Sequence, residues 1–183
     1  MAEREVKRLN WGCGRSPEPG WINSDASEAP GVDLVCDIRD GLPLRADAID
    51  YAVSVHALQE LGYPDLVPTL RELRRVLRPG GVLRLVLPDL DKGIRAYLDG
   101  DDDHFQVDRN QVRSRGGRFI VHMLWYGHSR TLFTVDFIEE LLLEAGFTEV
   151  TGHACGETTS PFPEIVELDN RERESLFVEA TKP

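Results

Sequence analysis

The sequence predicts an α/β protein, a doubly wound and mostly parallel sheet in a single domain spanning residues 1–183. Three observations predict it. Short β-branched or apolar runs alternate with helical or loop segments through most of the chain. A Gly-x-Gly turn, Gly12-Cys13-Gly14, follows the first of these runs directly. Chemistry-bearing residues stand at the carboxyl ends of the runs: Gly12, Asp25, Asp37, His56 and Asp89. Ligands of an open parallel sheet bind beyond those ends, so the pattern locates a site as well as a fold.

Composition narrows the class. Hydrophobic content of 41% and charged content of 29% are those of a globular protein with a substantial core. No stretch has the apolar length of a membrane span, and Met1 to Lys7 is too charged for a secretory signal, so a cytoplasmic protein is expected. A net charge of -11 disfavours nucleic acid and anionic membrane as partners, because both need a basic footprint. The only basic run of note, Arg109 to Arg118, is preceded by an acidic one, Asp99 to Asp103. Cys13, Cys36 and Cys155 lack disulfide, zinc or iron–sulfur spacing, so no metal site is expected.

Taken in order, Val6 to Trp11 is a strand interrupted by Lys7, Arg8 and Asn10. Pro17, Pro19 and Gly20 forbid a regular helix after the glycine turn. The first crossover is therefore truncated before the short second strand, Trp21 to Ser24. Gly31 to Asp37 and Ile49 to Val55 are the next strands, the latter suited to burial on both faces. Pro64 to Leu77 is an amphipathic helix with Leu66, Leu70, Leu73, Val76 and Leu77 on one stripe, stopped by Arg78-Pro79-Gly80-Gly81. Val82 to Leu87 is a strand ending at Pro88-Asp89.

Residues 90–130 break the alternation, with a short helix over Asp91 to Leu98, an Arg- and Gly-rich stretch, and an aromatic run from Phe119 to Tyr126. This reads as an insertion and as a lid over a ligand. Thr134 is expected to cap a helix over Val135 to Ala145. Phe147 to Val150 and Ser175 to Ala180 are final strands separated by loop.

The glycine turn lets a ligand approach the backbone and should present N–H groups to it, while a following carboxylate, Asp25, can accept two ribose hydroxyls. With Asp37 and Arg78 to Gly81 added, the chain resembles the class I S-adenosylmethionine-dependent methyltransferases, and within them the small bacterial type 11 group. The likeness rests on Leu9 to Gly14, Gly20 to Asp25, Leu42-Pro43, Leu58-Gln59-Glu60, Arg75 to Gly81 and Pro88-Asp89. It implies the Rossmann-like fold of that class and S-adenosylmethionine as cofactor. Gly12, Cys13 and Gly14 would line its methionine part, Asp25 would take the ribose, and Asp37 with Ile38 would meet the adenine. Val55 and His56 would lie beside the sulfonium, and Trp11 and Ala26 complete the implied cofactor set. Two departures stand out: Asn10 replaces the usual acidic residue, and Gln59-Glu60 replaces a Glu-His pair.

Methyl transfer from a sulfonium succeeds by positioning, with a general base needed only if the acceptor must lose a proton. The candidates for such a base are His56, His128 and Asp89. The expected activity is methylation of a small-molecule acceptor, and a homodimer is the assembly considered for it. Two other readings share the fold. One is a non-catalytic cofactor-binding or partner protein. The other, a nicotinamide-dependent oxidoreductase, is disfavoured by Pro17 and by the spacing of only 13 residues from Gly12 to Asp25.

Overall fold

The computed structural model describes residues 5–183. Met1 to Arg4, part of the stretch read as no secretory leader, lie outside the described residues. Among the described residues, seven strands form one sheet: β1 (Arg8–Trp11), β2 (Ile22–Asp25), β3 (Leu34–Val35), β4 (Ile49–Val55), β5 (Leu77–Pro88), β6 (Thr148–His153) and β7 (Ser175–Thr181). Their order is β3-β2-β1-β4-β5-β7-β6. The first five are parallel, and β7 and β6 are antiparallel to their neighbours. This is a Rossmann-like, mostly parallel sheet with two antiparallel strands at one edge.

The first crossover holds no helix. Leu9 pairs with Ile22 and Trp11 with Ser24, so β1 and β2 are parallel neighbours joined by Gly12 to Trp21 alone. Two buried asparagines organise that link. Asn23 Nδ2 donates to Glu18 O at 3.0 Å and Asn23 Oδ1 accepts from Glu18 N at 2.9 Å. Asn10 Nδ2 donates to Asn23 Oδ1 at 3.1 Å and to Ser16 O at 3.4 Å. The polar interruption of the first strand therefore satisfies the loop backbone that a helix would have satisfied by itself.

The sheet is covered on both faces, and β4 shows how. Ile49 and Ala52 join a core with α1 (Tyr63–Val76) and α4 (Val135–Glu144), while Tyr51 and Val53 pack with Trp21, Val82 and Ile165 on the other side. Leu66, Leu70, Leu73 and Val76 of α1 are completely buried, each adding about 1.5–3 kcal/mol by leaving water. The second face is closed by the segment around Phe162 and Ile165 rather than by a long helix.

Arg78 to Gly81 does not cap α1 as the sequence suggests. Leu77 is already extended and pairs with Ile49, so these residues form an irregularity inside β5. Leu77 is fully buried where it joins the sheet. The third strand is likewise shorter than Gly31 to Asp37. Thr134 precedes α4 in the right conformation but accepts no capping bond; its hydroxyl donates instead to the Asp136 carboxylate.

Residues 90–130 form α2 (Leu90–Asp99) and α3 (Arg115–Leu124), which pack on each other. They are tied to the carboxyl edge of the sheet. Lys92 Nζ donates to Ser175 O at 2.6 Å, Arg173 pairs with Asp101 at 2.7 Å, and Arg130 N donates to Gln59 O at 2.7 Å. Among the described residues no helix is long and apolar enough to cross a membrane.

Candidate active site

The carboxyl ends of β1, β2 and β4 converge on a cavity of ≈ 540 Å³ bordered by Gly12, Cys13, Gly14, Asp25, Val55 and His56. A second cavity of ≈ 260 Å³ continues from it past Trp11, Ala26, Asp37 and Ile38. Gly12, Asp25, Ala57 and Glu60 border both. All of the residues of the implied cofactor set thus line one continuous depression.

Glycine is required at the turn. Gly12 has φ +70°, and a Cβ there would meet the Cβ of Ala57 at 2.3 Å. Gly14 has φ +55° but faces open space. The expectation that the N–H groups of this turn face a ligand is not met. Gly12 N and Cys13 N donate to Ser24 O at 2.8 and 3.1 Å, and Gly14 N donates to Asp25 Oδ2 at 2.8 Å. With no crossover helix behind it, the turn needs these bonds to hold it against β2.

Asp25 Oδ1 accepts from Ser27 N at 2.8 Å, so each carboxylate oxygen takes one backbone N–H and keeps further acceptor capacity. Asp37 is held differently. Arg39 engages both of its oxygens, at 2.5 Å for the closest contact, and this guanidinium holds the carboxyl at about 2. Ile38 between them is buried and offers an apolar surface beside the cavity.

Residues 11–85 match the family model described as "Methyltransferase domain". That match spans residues 11–85 of the 183, the stretch from the end of β1 into β5. Three solved structures share the fold of this chain. A methyltransferase from Thermotoga maritima, described as a possible histamine N-methyltransferase, is 20% identical with a TM-score of 0.61, over 98% of this chain and 84% of that one. A methyltransferase from Archaeoglobus fulgidus is 14% identical with a TM-score of 0.59, over 97% and 86%. The 1,6-didemethyltoxoflavin-N1-methyltransferase of Burkholderia thailandensis, solved with 1,6-didemethyltoxoflavin and S-adenosylhomocysteine, is 18% identical with a TM-score of 0.58, over 98% and 72%. No curated protein sequence matches this chain.

The three residues considered as bases are placed unequally. His56, at the end of β4, lines the larger cavity with φ +51°. Its Nδ1 lies 3.3 Å from Arg171 Nη1 and its Nε2 lies 2.7 Å from Ser175 Oγ. A guanidinium can only donate, so Nδ1 accepts and Nε2 carries the proton given to Ser175. Burial, followed by the charge of Arg171 and then His122, lowers the pKa of His56 to about 3. The ring lines the site but has no lone pair free for base work. Asp89 caps α2, accepting from Lys92 N at 3.1 Å, and borders a different cavity of ≈ 380 Å³ with Cys155 and Phe177. Its geometry is that of a helix cap, set apart from Gly12 to Asp25. His128 is exposed on the turn after α3 and borders neither cavity.

Sequence reasoning missed several lining residues. Glu60 borders both cavities, with burial holding its carboxyl above the ordinary value. Leu168, Asp169, Asn170 and Arg171 form a far wall of the larger cavity. They lie in a stretch without periodicity, where the only signal was a cluster of charges. Among the described residues no group of His, Cys, Asp and Glu could hold a metal ion.

Proposed function

We propose that this protein binds S-adenosylmethionine across the two adjoining cavities and methylates a small-molecule acceptor. The observation that carries this reading is the convergence of Gly12, Asp25, Asp37 and Val55, from four separate strand ends, on one depression. Its size is that of a small-ligand site.

The residues suit the cofactor group by group. Asp25 has lone pairs left for a ribose diol, Ile38 supplies an apolar wall for adenine, and Asp37 can accept its amine once Arg39 shares or yields the carboxylate. Arg15 borders the same cavity beside Gly14 and pairs with no acid among the described residues, which suits the carboxylate of the methionine part. The cofactor supplies an electrophilic methyl group, so the chain contributes by holding and orienting. His56, neutral and fixed in one tautomer, shapes the methyl path without taking a proton. Residues 90–130 act as the lid at the acceptor end, being anchored to Ser175 and Gln59 beside it. A neutral amine or an already ionised oxygen is the acceptor that such a site serves, since it requires no strong base.

Calorimetric titration with S-adenosylhomocysteine, with NADH as control, tests the reading on wild type and Asp25→Ala. Binding of the sulfur compound that is lost in the variant supports it. Binding of NADH alone would overturn it in favour of a redox enzyme.

A further inference from the structure

Six described non-glycine residues have positive φ, and two of them, His56 at +51° and Arg171 at +57°, touch each other across the larger cavity. Left-handed backbone is unfavourable for side chains of this size and persists only where the surroundings enforce it. Both are enforced. His56 N donates to Val86 O at 2.9 Å, and His56 O accepts from Gln59 Nε2 at 2.6 Å. Arg171 O accepts from Glu174 N at 3.0 Å, and two residues earlier Asp169 is locked to the fully buried Arg84 at 2.5 Å. The fold thus holds an arginine in an unfavourable conformation at the wall of the cavity, against the residue implied to flank the methyl path.

Arg171 is only partly occupied there. Its Nη1 meets His56 Nδ1 at 3.3 Å and lies 3.7 Å from Glu174 Oε1. Among the described residues nothing takes its Nε or Nη2 donors, and its side chain is 46% exposed. Glu174 offsets the charge incompletely, because its other oxygen faces His122 Nε2 at 3.3 Å and Gln106 Nε2 at 3.5 Å. A planar guanidinium with a free donor edge matches the two oxygens of a carboxylate or phosphate.

We propose that Arg171 is the anion-binding residue of the acceptor site, so that the acceptor carries a carboxylate or phosphate group engaged opposite His56. This rests on the methyltransferase reading and deepens it by naming the acceptor class. The carboxylate of the cofactor is the competing occupant, and Arg15 beside Gly14 leaves Arg171 free of that duty.

The test uses benzoate, benzamide and phenyl phosphate as probes. Affinity for S-adenosylhomocysteine is measured first, on wild type, Arg171→Gln and Arg171→Lys. Failure of wild type to bind it sinks the cofactor reading, and the probe titrations are then read on the free protein. Each probe is added to the cofactor-product complex while the ring nitrogen signals of His56 are followed by NMR. Benzoate or phenyl phosphate should shift them saturably and benzamide should not, the stronger of the two anions identifying the group. Arg171→Gln should weaken the anion by about tenfold or more, with Arg171→Lys intermediate and S-adenosylhomocysteine affinity little changed. Equal binding of benzoate and benzamide, no anion binding, or an undiminished effect in Arg171→Gln would overturn the proposal. So would displacement of benzoate by S-adenosylhomocysteine, which would give Arg171 to the cofactor.

Discussion

Arg84, on β5 and fully buried, gives Asp169 two hydrogen bonds, at 2.7 Å from Nε and 2.5 Å from Nη2. Its Nη1 donates to Glu179 Oε1 at 2.6 Å on the adjacent strand. One arginine on β5 thereby fixes the loop that walls the larger cavity. Arg84→Met would leave two acidic side chains buried without a cation, costing about 3–5 kcal/mol. Urea denaturation measures this, and a loss under about 1 kcal/mol would show that the pair contributes little.

Asp25→Ala removes the acceptor of two backbone N–H groups as well as the proposed ribose contact. Affinity for S-adenosylhomocysteine should fall by about ten- to a hundredfold. Asp37→Ala should fall less, because Arg39 already pairs with that half-buried carboxylate. Calorimetry on both variants decides, and equal losses would contradict the ranking.

The two glycines of the turn should separate strain from crowding. Gly14→Ala meets open space and should cost about 1–2 kcal/mol for its left-handed backbone alone. Gly12→Ala carries the same penalty plus the overlap with Ala57, adding about 1–3 kcal/mol. Thermal unfolding of both variants reads the difference; indistinguishable midpoints would refute the assigned crowding.

Acid should weaken the fold through its buried histidines. His56 is lowered from 6.5 to about 3, chiefly by burial, and His122 to about 4 for the same first reason. The unfolded chain binds these protons and the folded chain does not, so their contribution is present above 6.5 and is lost as the pH falls towards 3. Stability measured across that window should drop more steeply for wild type than for His56→Gln. Ring NMR should show no protonation of His56 near 6.5, and a step there would end the argument that its lone pair is engaged.

The strands, the glycine turn and the carboxylates at strand ends were legible because each is a local matter. Apolar alternation, a turn needing positive φ at Gly12, and an acidic residue closing β2 are all written within a few positions. Pro17 and Pro19 likewise determined that no helix follows the turn, and Asn10 and Asn23 supply the bonds it would have made.

What only the tertiary structure decided are contacts between distant positions. Arg171 reaches His56 across 115 positions and removes its lone pair from base chemistry, which neither neighbourhood records. Asp89 ended a strand just as Asp25 did, yet it became a helix cap because α2 begins at once behind it. The loop wall from Leu168 to Arg171 has no period to read, and a buried arginine in the middle of β5 holds it in place. Periodicity records which face of an element meets the core; an ion pair closing a loop depends on where two distant backbones come to lie, and only the folded chain brings them together.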